Sequence, residues 1–229
     1  MKKRFLAGVM AGVLMLGGSA FAQTSEEILF RGIPWGQKMK DGIQAIIDSV
    51  GGRNIEAGST DVKDGQSFYD SEFGNVEQGD YHCYQTFLLM KNFEVAGYPL
   101  KYIFIDSVPD VVGGRVKDTK DESVVVSACY IFDYEKMAEQ VSAPDELLEK
   151  LADVYGDPDD INDSSYGSSS RVWYGEAGTS VDMLFSLSSS GDSLEWLQIT
   201  YSGCNLAEKI IELNDASGSG MSSSKTDGL

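Results

Sequence analysis

The chain has 229 residues, 42% hydrophobic and 24% charged, with 18 basic against 36 acidic side chains and a formal net charge of −18. Nucleic acid is excluded as a partner, since binding a polyanion requires clustered Lys and Arg to release counterions, and the same repulsion disfavours anionic membrane surfaces. The apolar content is ample for a real core, which rules out disorder of the whole chain.

At the amino end, Met1-Lys2-Lys3-Arg4 is a cationic head, residues 5–16 are an apolar run broken only by glycine, and Gly17-Gly18-Ser19 leads into Ala20-Phe21-Ala22. This three-part layout predicts a secretory signal peptide over residues 1–22, cleaved after Ala22. The apolar run falls short of the roughly 20 residues that span a bilayer. No cysteine follows the small-residue segment and no second apolar span occurs, so the processed chain is expected to carry no membrane anchor and to work in the periplasm or outside the cell. Losing Lys2, Lys3 and Arg4 leaves 15 basic against 36 acidic residues in a chain of 207, a balance of −21. Cys83, Cys129 and Cys204 remain, an odd number, so at most one internal disulfide forms. Three pairings are open, beside the reading of Cys83 and Cys129 as buried apolar filler in strands.

After a polar leader, Phe30 to Gly36 reads as an extended segment ending in a turn. Met39, Ile43, Ile46, Ile47 and Val50 then fall on one face of a helix that Gly51-Gly52 stops, with Gly42 weakening it slightly. Residues 53–80, rich in Gly, Asp and Ser, read as a long loop with one short strand near 67–69. The period then becomes strand-like over 81–90, 93–106 and 122–132, the first two joined as a hairpin and the last two by an exposed loop at 107–121. Ser142-Ala143-Pro144-Asp145 starts a second helix whose buried stripe is Leu147, Leu148, Leu151, Val154 and Tyr155, ended by Gly156 and Pro158. Strands follow at 171–174, 179–187 and 194–201. In the middle one Val181, Met183, Phe185 and Leu187 point one way and Asp182 and Ser186 the other. Asn205 caps a last helix holding Leu206, Ile210 and Leu213, and the Ser/Gly tail 216–229 is expected to stay disordered. The fold class predicted is α+β, antiparallel sheet with helices packed on one face, in one domain over 23–215. The order helix then three strands comes twice, giving possible halves at 23–134 and 135–215.

Phe30-Arg31-Gly32-Ile33-Pro34-Trp35-Gly36 before one helix, and Tyr155-Gly156-Asp157-Pro158 after another, followed by Trp173 and strands ending in Ile199-Thr200-Tyr201, resemble segments of a loose group of uncharacterised exported bacterial proteins. That group implies export and no particular activity. The repeated helix-plus-strands order is also similar in layout to beta-lactamase-inhibitor-like folds, which implies binding of another protein.

Gly191-Asp192-Ser193-Leu194 spells the nucleophile motif of a hydrolase family, but that family places it near the amino end with an Asp-x-x-His late in the chain, and here no histidine follows. His82 is the single histidine, and a serine needs a positioned base. His82 and Cys83 are strand neighbours and point to opposite faces. Zinc spacing is absent. The run Asp157-Pro158-Asp159-Asp160-Ile161-Asn162-Asp163 gathers hard oxygen donors, making Asp157, Asp159, Asp160 and Asp163 candidate calcium ligands. It departs from the EF-hand pattern at Ile161, Asn162 and Ser168, and the alternative is an Asx-rich turn. No other cofactor is indicated. Tyr81, Tyr84, Phe87, Tyr98, Tyr102, Phe104, Tyr130 and Phe132 are read as core first and as a ligand groove second. The function expected is a non-enzymatic module that binds a protein or small molecule through its sheet or the 53–80 segment. The alternatives are an exported hydrolase with a carboxylate site or an envelope structural component.

Overall fold

The computed structural model describes residues 27–63, 67–70, 74–77, 81–137, 144–163, 168–188, 194–203 and 206–218. Residues 1–22, read from sequence as a signal peptide, the expected caps Ser142 and Asn205, Cys204 and residues 219–229 of the tail lie outside them. In chain order the helices are α1 (Met39–Val50), α2 (Tyr134–Met137), α3 (Asp145–Tyr155) and α4 (Leu206–Ser217). The strands are β1 (Ile55–Lys63), β2 (Ser67–Asp70), β3 (Gly74–Glu77), β4 (Cys83–Met90), β5 (Glu94–Val95), β6 (Tyr98–Val108), β7 (Asp110–Val112), β8 (Arg115–Lys117), β9 (Val124–Phe132), β10 (Asp160–Asp163), β11 (Ser168–Tyr174), β12 (Ser180–Leu187) and β13 (Leu194–Ser202).

One antiparallel sheet organises the molecule, in the order β1-β4-β6-β9-β13-β12-β11-β10, with β5 added beside β6. β2 and β3 pair with each other, as do β7 and β8. The fold is α+β. Each helix of the pair α1 and α3 precedes a four-stranded run of the large sheet, and the two runs meet where β9 pairs with β13. The layout is therefore helix plus four strands, twice. The strand absent from the sequence reading of each half is the outermost one.

α1 ends where its periodicity does: Gly51 takes φ +79 and Asn54 Nδ2 donates to the carbonyl of Val50 at 2.6 Å. Ile46 and Val50 enter the core, which is built on one sheet face from Leu88, Ile103, Ile105, Tyr130, Phe132, Trp173, Val181, Met183, Ile199 and Tyr201, with Leu147 and Leu151 of α3 laid over it. Gly42 has a packing reason, because a Cβ there would stand 2.7 Å from Val125 Cγ2. The α3 stripe is narrower than its periodicity suggests, since Val154 is exposed. β12 alternates as expected: Val181, Met183 and Phe185 are core and Leu187 packs against it.

Three segments differ from the sequence reading. The 53–80 stretch is a nine-residue edge strand, β1, and then the β2–β3 hairpin. Residues 107–121 contain the β7–β8 hairpin, turned through Gly113 and Gly114 with φ +60 and +72, the backbone a two-residue I′ turn requires. The third is α4, which runs to Ser217 and packs Ile210 and Leu213 against Cys83, Val108, Val124 and Val126. Cys83 shares its strand face with Phe87 and Leu89, opposite Leu88. So α4 covers one end of the second sheet face, whereas α1 and α3 cover the first.

Candidate functional site

Antiparallel register places side chains of neighbouring strands in rows, and on the second face three rows cross the sheet. One holds Ser180, Ser202, Ser127, Asp106, Gln85 and Asp61. The next holds Val172, Asp182, Thr200, Cys129, Phe104 and Phe87. The third holds Leu184, Gln198, Ile131, Tyr102 and Leu89. Where the first face is buried, most of these residues are only half-buried. Trp196, paired with Ser186 one row further, is 38% exposed. Phe87 and Phe104 meet edge to face at 4.5 Å, and Tyr102 stands 6.0 Å from Phe104. The strand aromatics thus divide by face: Tyr98, Tyr130 and Phe132 are core, while Phe87, Tyr102 and Phe104 line the half-open side.

Two carboxylates sit among them. Asp106 accepts hydrogen bonds from Ser127 Oγ at 2.8 Å and Gln85 Nε2 at 2.9 Å. Burial raises its pKa, against the pull of those two donors. Asp182 is pushed up to about 6 by burial. Its Oδ1 is enclosed and accepts no hydrogen bond among the described residues. Between them Cys129 accepts from Thr200 Oγ1 at 3.3 Å, and burial pushes this thiol up to about 12, so it is protonated and unreactive at neutral pH. Asp106 and Asp182 lie three strand spacings apart, roughly 14 Å. That is beyond the 9.5 Å or so over which two carboxyl groups can share a glycosidic bond, so this pair is not an acid–base couple.

The chain matches no protein-family model, no curated protein and no solved structure.

The residues singled out by sequence are distributed as follows. His82 Nδ1 is hydrogen-bonded to Asp118 Oδ2 at 2.8 Å, its backbone amide donates to the same oxygen, and Tyr84 donates to Asp118 Oδ1 at 3.3 Å. The histidine fastens the segment after β8 to the start of β4. Cys83 is a buried free thiol beneath α4, and burial raises its pKa. Cys129 is likewise free. Of the hydrolase-like motif only Leu194 is described, at the start of β13.

Of the candidate calcium ligands, Asp160 and Asp163 belong to edge strand β10, where an offset of three puts them on opposite faces. Asp159 Oδ2 accepts from the amide of Tyr174 at 2.8 Å, and Asp163 Oδ1 from Arg171 Nη1 at 2.7 Å, a hydrogen bond that lowers its pKa. Asp157 precedes them in the bend after α3. Among the described residues no three His, Cys, Asp or Glu side chains are grouped to hold a metal.

The Phe30–Gly36 segment and the stretch from Tyr155 to Trp173 contribute fasteners of the core. Phe30 packs between Tyr130 and Tyr201 at 4.8 and 5.3 Å. Arg31, at φ +56, donates to Ser49 Oγ, to the Ser49 carbonyl and to Tyr130 OH. Trp35 Nε1 donates to the carbonyl of Ile28 at 2.7 Å, and Gly203 passes so close to its ring that a Cβ would lie 2.9 Å away. Trp173, fully buried, donates to the carbonyl of Gly156 at 2.9 Å. Burial pushes Tyr130 up to about 12 despite Arg31, so these phenols are neutral.

A shallow depression of about 150 Å³ lies between Phe93, Pro99, Leu100, Asn92, Glu94 and Lys136. Small-molecule pockets usually exceed roughly 300 Å³. Sequence reasoning pointed Asp182 to the wet face but gave neither it nor Asp106 a role. The available signal was an acid set inside an apolar strand run, as in Ile103-Phe104-Ile105-Asp106 and Val181-Asp182-Met183.

Proposed function

We propose that this protein is an exported acidic binding module that engages another protein through the second face of its sheet. The observation that carries the reading is that this face keeps aromatic and aliphatic side chains half-exposed in contiguous rows around Asp182, whose Oδ1 accepts no hydrogen bond among the described residues. Half-open apolar surface of this kind marks interaction sites in stable proteins, and desolvated carboxylates with shifted pKa gather at functional sites. A sheet face is broad and shallow, which suits a macromolecule better than a small ligand. The amino-terminal layout of residues 1–22 supports export. The helix-plus-strands repeat, similar in layout to beta-lactamase-inhibitor-like folds, supports a protein as the partner. No helix among the described residues is long and apolar enough to cross a membrane.

Affinity capture from envelope extract with the natural protein and with Tyr102→Ala/Trp196→Ala tests this directly. The natural protein should retain a partner in stoichiometric amount, and the double variant should lose it while unfolding within a few degrees of the parent. Equal capture by both would refute a role for this face.

A further inference from the structure

Resting on the reading that this face is the binding surface, we infer that the partner segment seated on it is basic as well as apolar: a strand or loop carrying Lys or Arg beside aliphatic side chains. Apolar character follows from Phe87, Phe104, Tyr102, Leu89 and Leu184, which are half-exposed in neighbouring rows around the buried Ile131. The basic character follows from charge. Asp106 and Asp182 stand in these rows, and no Lys or Arg shares them. The cation placed at the rim, Lys101, lies with its Nζ 5.8 Å from the centre of the Tyr102 ring and 5.5 Å from that of Tyr134.

Inside the face Asp106 and Asp182 meet only neutral groups, while Asp61 at the β1 edge lies 3.8 Å from Lys63. Asp106 is held by Ser127 and Gln85, and the enclosed oxygen of Asp182 by no donor among the described residues. Covering the face with an uncharged or acidic partner would strip the remaining water from two carboxylates and offer nothing in return. A guanidinium or ammonium laid over the row supplies the missing opposite charge. A second copy of this chain is the wrong occupant, because it would set its own Asp106 and Asp182 against these within a pair of molecules each at −18.

Two synthetic ten-residue probes, one alternating Leu with Lys and the other Leu with Gln, test this on the full processed protein at physiological salt. Trp196, on the same face, reports binding by its emission, with Trp196→Phe confirming the source of the signal, and calorimetry gives the dissociation constant. The Lys probe should bind saturably and at least tenfold tighter than the Gln probe. Asp182→Asn should weaken the Lys probe at least tenfold, whereas Asp48→Asn, an exposed acid on α1 over the opposite face, should change it less than twofold. Equal binding of the two probes, no binding of the Lys probe, or equal losses in the two variants would each overturn the inference. The broader reading fails separately, if capture of the natural partner is unaffected by Tyr102→Ala/Trp196→Ala.

Discussion

Asp182 holds its proton up to a pH of about 6, against an ordinary 3.8, because burial penalises the charged form. Between those values the folded chain keeps a proton that the unfolded chain has lost. Stability therefore falls as the pH rises from about 4 to 6 and stays lower above it. The difference corresponds to about 3 kcal/mol at most, less whatever residual solvent screening provides. Asp182→Asn should flatten that slope and stabilise the protein at pH 7.5 by up to about 3 kcal/mol, read from urea unfolding at pH 4.5 and 7.5. An unchanged slope would show that burial does not govern this carboxylate. Gly42 gives a prediction of opposite sign from the one helix propensity makes. Alanine is worth about 1 kcal/mol over glycine in an open helix, but here its Cβ would meet Val125 Cγ2 at 2.7 Å on a stiff, β-branched side chain. Gly42→Ala should destabilise by roughly 1–2 kcal/mol through overpacking, seen as a lower Tm. At this scale the sequence showed Asp182 on the opposite face from the core, because Val181, Met183 and Phe185 alternate with it. It did not show that an enclosed oxygen lies there without a donor, which depends on neighbours brought in from β11 and β13.

Long, strongly periodic elements were legible in the sequence. α1, the body of α3, β4, β6, β9, β12 and β13 follow from apolar spacing, because each buries at least one face. β1 and β10 were not, and the reason is shared. An edge strand with both faces largely exposed needs no apolar alternation, so Glu56, Ser59 and Asp61, or Asp160 and Asp163, read as loop. β1 is specified by β4, about twenty residues on, and β10 by the adjoining β11, and such polar edges also discourage pairing with other chains. α4 is held by charge as well as by Ile210 and Leu213: Lys209 Nζ reaches Asp110 Oδ1 at 2.8 Å, and Lys38 of the segment before α1 lies 3.7 Å from Asp110 Oδ2. Burial alone would raise the pKa of Asp110, but the hydrogen bond and charge of Lys209, with Lys38, outweigh it and lower the pKa. That stabilisation is complete above the ordinary carboxylate range and is lost as the pH falls through the lowered value. Asp110→Ala should cost about 1 kcal/mol and speed hydrogen exchange in residues 209–217 ahead of the main sheet. Exchange rising equally in β9 would mean that Asp110 supports the whole fold.

At the scale of the molecule, the two faces of one sheet have different employments. Face one is closed by α1, α3 and the Phe30–Trp35 clasp, in which the sequence's most distinctive motif turns out to be an anchor for the core. Face two is covered at one end by α4 and elsewhere keeps half-exposed aromatics around carboxylates. The candidate site was beyond the reach of sequence motifs because it has none: its members come from seven strands, each contributing alternate residues, and only register collects them. Oxidative footprinting compares the purified protein with the protein in fresh envelope extract and measures the central claim most directly. Tyr102, Phe104 and Trp196 should be protected at least several-fold in the extract, while Val154, exposed on α3 over the opposite face, is labelled at the same rate in both. Unchanged labelling of the three sheet residues, with protection confined to the helices, would contradict the account.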